Sequence, residues 1–204
     1  MTFSQQYLKQ AAEVATRLDT ESIEKVVEVL KSVREQGGRL FLIGSGGGAG
    51  HASHAACDFR KLGGFEAYCP TDNVSELTAR INDDGWDSSL ANYLTGSRIR
   101  KNDCVFVFSV GGGSEEKKIS NNLVEAVKAA KRAGAKVVGI VGRDGGYTAT
   151  VADACVVIPT VDPSLVTFHT EAFQAVVWHL LVSHPQLKLN PSKWESTDAT
   201  TKKR

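Results

Sequence analysis

The sequence predicts a three-layer α/β fold: a doubly wound, five-stranded parallel sheet entered through two helices. Five short apolar runs recur along the chain, helix-forming sequence separates each from the next, and the runs are apolar at nearly every position rather than at alternate ones. A strand with one wet face alternates, whereas a strand covered by helices on both faces does not.

Residues 3–37 read as two helices, with Val26, Val27, Leu30 and Val33 at helical spacing and Gly37-Gly38 as the stop. The strands are the runs 39–43, 65–69, 104–108, 136–141 and 154–158. Between them the pattern predicts a helix over 49–62, then a polar loop and a helix near 88–96, a long helix across 114–133, and a short one near 147–152. The last helix, 163–184, is apolar almost all round, which predicts burial between subunits. After 187 the composition turns polar and ends in Lys-Lys-Arg. A single domain over 1–187 with a flexible tail over 188–204 is therefore expected.

With 204 residues, 42% hydrophobic and 23% charged, the chain is in the ordinary range of one globular domain. Its 24 basic residues nearly cancel its 23 acidic ones, so there is no one-sign field of the kind that holds a nucleic-acid backbone. Neither a targeting segment nor a membrane-length apolar run is present, and a cytoplasmic protein is expected. The cysteines Cys57, Cys69, Cys104 and Cys155 lack metal-type spacing and read as buried reduced thiols.

Two glycine-rich loops directly follow strands: Gly44-Ser45-Gly46-Gly47-Gly48-Ala49-Gly50 and Ser109-Val110-Gly111-Gly112-Gly113-Ser114. Ligands bind at the carboxyl edge of an open α/β sheet, and a glycine loop entering a helix presents free N–H groups to an anion, above all a phosphate. Neither loop has dinucleotide or nucleoside-triphosphate spacing. On the first helix after the loop, His54 and Asp58 are one turn apart with His51 on an adjacent stripe. On the last helix, Glu171 and His179 interrupt an apolar sequence eight residues apart. Two imidazoles and two carboxylates suit zinc or another divalent ion, and the same groups without metal can shuttle protons.

In this order and spacing the motifs resemble the phosphoheptose isomerases, of the SIS (sugar isomerase) type, over most of residues 1–185. The family's Gly-Asn-Gly-Gly-Ser loop falls on Gly44-Ser45-Gly46-Gly47-Gly48, and its His-x-x-x-Glu on His54 to Asp58. Its Asn-Asp element falls on Asn82-Asp83, its Ser-Thr-Ser-Gly-Asn-Ser loop on 109–114, its Thr-Gly-x-Asp-Gly-Gly on 141–146, and its Gln and His, eight apart, on Glu171 and His179. The resemblance implies a flavodoxin-like fold and a homotetramer with sites shared between subunits. It also implies an aldose–ketose isomerase acting through an enediol, most simply on sedoheptulose 7-phosphate, in heptose synthesis for a cell-surface polymer or natural product.

By the same resemblance Asp58 is the base and His179 its acid/base partner, and zinc would lie among His54, Asp58, Glu171 and His179. Substrate contacts would come from Ser45, Gly46, Gly47, Gly48, Asn82, Asp83, Ser109, Gly111, Gly112, Ser114 and Glu171. The sequence departs from the family where Asp58 replaces Glu, Glu171 replaces Gln, and Val110 and Gly111 remove two hydroxyls from the phosphate loop. A different register, pairing Glu171 with the family's neighbouring Glu, would put Trp178 where His179 stands. Alternative functions are isomerisation of another sugar phosphate, or a non-catalytic SIS protein that binds a sugar phosphate or regulates replication.

Overall fold

A computed structural model of the chain describes residues 1–195. Two entry helices, α1 (Phe3–Arg17) and α2 (Thr20–Glu35), precede β1 (Arg39–Gly44), α3 (Gly47–Lys61) and β2 (Glu66–Tyr68). A single 3-10 turn at Pro70–Asp72 leads into α4 (Val74–Asp84) and α5 (Ser89–Gly96). The chain continues through β3 (Cys104–Ser109), α6 (Asn121–Arg132), β4 (Lys136–Val141), α7 (Gly146–Val151), β5 (Ala154–Val157) and α8 (Val166–Ser183). All pairings are parallel, in the order β2-β1-β3-β4-β5.

The apolar runs divide between the two faces as their side chains alternate. Leu40, Leu42, Phe106, Phe108, Val138 and Ile140 point into one core, with residues of α2, α3 and α8. Phe41, Ile43, Val105, Val107 and Val137 point into the other, with residues of α5 and α6. This is the three-layer arrangement the sequence predicts. From β1 the chain winds outward to β2 and then returns past β1 to β3, so the winding reverses between β1 and β3. Their carboxyl ends splay apart there and leave a crevice.

Three local expectations are corrected. The segment expected to be a polar loop contains α4, a helix whose short stripe of Val74, Leu77 and Ile81 buries no residue fully. The long helix expected over 114–133 begins only at Asn121: Ser114 and Ile119 form a two-residue antiparallel bridge, and Ser120 takes a left-handed backbone conformation that blocks helix propagation. Cys57 is exposed on α3, although the other three thiols are partly or wholly buried, and burial pushes Cys155 up to about 12. Within the expected tail, the Leu189 and Asn190 N–H groups donate to the Leu62 carbonyl at 2.8 and 3.0 Å, so the chain is tied down as far as Asn190. Residues 196–204 lie outside the described part.

At the edge opposite the crevice, one ion pair joins β1 to β3. Asp103, with no exposed side-chain surface, accepts from Arg39 Nη2 at 2.7 Å and Nε at 3.2 Å, and from the backbone N–H groups of Arg39 and Arg100, both at 3.0 Å. Burial pushes the Asp103 carboxyl up, but the Arg39 side chain, the two N–H groups and the Arg39 charge outweigh it and hold the carboxyl below its ordinary value. A carboxyl depressed in the folded state contributes stability above its unfolded pKa and loses it as pH falls through the folded one. Asp103→Asn should lower stability by about 2–3 kcal/mol at neutral pH. Urea titrations from pH 7 down to pH 3 should show the difference from wild type narrowing below the ordinary carboxylate range.

Candidate active site

At the carboxyl edge of the sheet lies an open cleft of about 1160 Å³, lined by Ser45 after β1, by Ser109, Gly111 and Ser114 of the second glycine loop, and by Arg143 and Thr167 from the segments after β4 and β5. Three of its serine hydroxyls are engaged as acceptors: Ser109 Oγ from the Gly112 N–H at 3.0 Å, Ser114 Oγ from the Lys117 N–H at 3.2 Å, and Ser45 Oγ from Asn122 Nδ2 at 3.2 Å. Each keeps its own proton, so the hydroxyls are set to donate. Donating hydroxyls beside the uncapped amino terminus of α3 suit an anion. Gly46 and Gly47 begin this helix, and Gly48 lies in its first turn beneath the loop.

The second part of the site lies along α3 and α8, which run side by side in the same direction. His54, Asp58 and His179 each offer a ligand atom, and the three atoms lie within 4.8 Å of one another. His54 Nε2 is 3.9 Å from Asp58 Oδ2, and the His54 ring meets the Trp178 ring edge-on at 4.8 Å between centroids. His179 Nδ1 lies 2.7 Å from the Ala175 carbonyl. A carbonyl can only accept, so Nδ1 carries the proton and Nε2 presents its lone pair to the cluster. Trp178, only 1% exposed, is a core residue, and its neighbour His179 reaches the site. The register that puts Trp178 where His179 stands would assign the position to this core side chain.

The structure does not bring Glu171 into this cluster within one chain, because eight residues of helix separate it from His179 by about 12 Å. Its carboxylate instead sits against Gly47, at the amino terminus of α3, where the helix dipole favours an anion. Half-buried His51 is beside it. Burial holds the His51 imidazole below its ordinary value, against the opposing pull of Glu171. Asn82 and Asp83 are exposed at the end of α4, where Asn82 Nδ2 donates to Asp83 Oδ1 at 2.8 Å, and neither lines the cleft. Sequence reasoning did not assign roles to His51, Asn122 or Arg143. Only His51 had a signal, its place one turn before His54.

Residues 6–142 match the SIS domain family. A phosphoheptose isomerase of Roseiflexus sp. is 32% identical over 166 residues, 79% of this chain and 74% of that protein. The chain belongs to the SIS-domain phosphoheptose isomerase family. A second relative, the lincomycin biosynthesis protein LmbN of Streptomyces lincolnensis, is 33% identical over 155 residues, 72% of this chain, and the chain spans little more than half of that protein, 56%. The phosphoheptose isomerase GmhA of Neisseria gonorrhoeae superposes with a TM-score of 0.76 at 23% identity, covering 88% of this chain and 95% of that one. That of Francisella tularensis gives 0.75 at 21%, covering 89% and 97%. These two establish likeness of fold. Within the SIS frame, the chain has a carboxylate, Glu171, packed directly on a loop glycine.

A Cβ at Gly47 would lie 2.5 Å from the Glu171 carboxylate, so the end of that flexible side chain would have to swing aside to admit one. Gly47→Ala should displace the Glu171 carboxylate at a cost below about 1 kcal/mol, and that cost should vanish in the Glu171→Ala background, where nothing has to move. A double-mutant cycle of denaturant midpoints checks this.

Proposed function

We propose that the chain interconverts sedoheptulose 7-phosphate and D-glycero-D-manno-heptose 7-phosphate through an enediol. The observation that carries this is the placing of an anion cleft and a His-Asp-His cluster at the two ends of one helix face. Gly47 and His54 are about 10 Å apart along α3. A substrate that puts its phosphate in the cleft and its carbonyl at the cluster has to be long, which favours a heptose phosphate over a triose phosphate.

In this mechanism the cleft hydroxyls bind the phosphate beside the first turn of α3 and so fix the distance to the carbonyl end. Asp58 takes the proton from the carbon next to the carbonyl and returns it to the neighbouring carbon. His179, with Nε2 free, receives the hydroxyl proton on one oxygen and delivers it to the other, so no bare alkoxide builds up. Asp58 is shorter by one methylene than the family's Glu, and its place in the same cluster as His179 supports its keeping that role.

His54, Asp58 and His179 also fit a zinc ion: two imidazoles and a carboxylate converge, His179 has its second nitrogen anchored on a carbonyl, and three protein ligands leave a catalytic zinc one open position. When bound, the ion would polarise the sugar carbonyl as a Lewis acid. His179 has a single free nitrogen and so serves either the ion or the proton, whereas Asp58 with two oxygens can serve both.

The outward face of α8 supports assembly of copies into a tetramer. Phe168, Val176 and Leu180 are 60%, 48% and 38% exposed and form a stripe at helical spacing beside His179. The all-round burial expected of α8 is thus met on one face within the chain, and a second copy would cover the other. Such an arrangement is also the means by which a Glu171 could approach a cluster from which helix geometry separates it in one chain. Among the described residues no helix is long and apolar enough to cross a membrane.

Incubation of the zinc-replete protein with sedoheptulose 7-phosphate in deuterated water should give the aldose with deuterium next to the carbonyl. Asp58→Asn and His179→Asn should lower kcat by roughly 10²- to 10⁴-fold with the fold retained by circular dichroism. Failure of the wild type to form aldose or exchange deuterium would sink this substrate. Light scattering should report a tetramer that Val176→Glu breaks into smaller species, and a monomeric wild type would count against a shared site.

A further inference from the structure

We infer that Arg143 holds the substrate's phosphate, supplying the charge and donors that the second glycine loop lacks where Val110 and Gly111 bear no hydroxyl. This rests on reading the cleft as a phosphate site.

Arg143 lines that cleft, and its Cδ lies 3.7 Å from where a Cβ on Gly111 would be. At that separation the arginine stem is in van der Waals reach of the loop and passes beside it. Its backbone is in the left-handed region at φ +53°, one of four non-glycine residues in the described chain to be so. A glycine would occupy this position without strain, and strained positions persist where the surroundings over-determine them.

Here they do. The segment after β4 is tied to the phosphate loop by backbone bonds on both sides of Arg143: the Gly142 N–H donates to the Val110 carbonyl at 3.0 Å, Tyr147 to Gly113 at 2.8 Å and Thr148 to Gly112 at 3.0 Å. Thr148 Oγ1 adds a fourth bond, to the Gly112 carbonyl at 2.7 Å. Gly112 itself, at φ +69°, runs so close to the Gly145 carbonyl that no side chain fits between them. The two loops therefore form one rigid body, and the arginine is carried on it.

The free donors of Arg143 point the same way. Among the described residues the Arg143 guanidinium makes no hydrogen bond or ion pair. Of the carboxylates in the cleft, Glu115 is taken by Lys128 at 2.6 Å and Asp144 accepts the Gly146 N–H at 3.1 Å, so neither is bonded to the arginine. A planar guanidinium can give two parallel hydrogen bonds to a phosphate, and free donors of that kind beside three donating hydroxyls complete an anion site.

The test compares wild type with Arg143→Gln, Arg143→Lys and Arg143→Gly, using inorganic phosphate as the probe in calorimetry and sedoheptulose 7-phosphate in kinetics. Phosphate binding should weaken and KM should rise by roughly 10- to 100-fold in the Gln and Gly variants, less in Lys, with kcat within a few-fold of wild type. The Gly variant should melt no lower than wild type, which separates lost binding from a damaged fold. Unchanged phosphate affinity and KM in Arg143→Gln would overturn the inference, as would a wild type that binds no phosphate. Arg143-dependent phosphate binding without sugar turnover would leave this site standing and remove the isomerase reading instead. Turnover with an Arg143-independent KM would do the reverse.

Discussion

The arrangement of the site depends on the register between α3 and α8. Gly47 meets Glu171 at one end of the contact and, seven residues on, His54 meets Trp178 and His179 at the other, so the two helices run parallel at a fixed offset. Both are buried against the same side of the sheet through Ala52, Ala55 and Phe59 of α3 and Phe173, Val177 and Leu181 of α8. A shift of one residue would turn either helix by about 100° and carry its polar residues off the shared face. Close packing resists that slip, because interiors at crystal-like density have no room to absorb it. The polar groups are thus positioned by the apolar residues between them.

A second division of labour runs across the sheet. Its amino edge is closed by the Arg39–Asp103 pair, while its carboxyl edge is opened by the reversal of winding and left polar. Stability and ligand recognition sit at opposite ends of the same strands. The glycine loops at the open end approach neighbouring carbonyls more closely than any side chain would permit, so their backbone serves both as packing surface and as ligand surface.

The strands were legible in the sequence because a doubly covered strand carries its signal in every residue, and the order of the motifs located the two loops and the histidine helix. Two features were not read from the sequence. α4 buries nothing, and the late start of α6 turns on the backbone of Ser120. His54, Asp58 and His179 were readable as a group because helical spacing places residues on a face. Glu171 was grouped with them because eight-residue spacing preserves the face but says nothing about height along the axis. Arg143 and Asn122 were invisible, since their importance comes from contacts across loops and between elements that no local pattern encodes. Choosing between Trp178 and His179 needed the phase of α8 against the core, which only packing supplies.

α4 has one further consequence. Contributing no buried side chain, it is held by its cap at Asn73, by surface ion pairs such as Arg80 to Glu76, and by its neighbour α5. Little free energy separates its folded form from a locally open one, so its amides belong to the fast-exchanging end of the molecule's range. A segment of that kind can lengthen, shorten or change sequence without disturbing either core. Within this scaffold it is the natural place for lineages to diverge, and for an engineer to graft an inserted domain or a reporter.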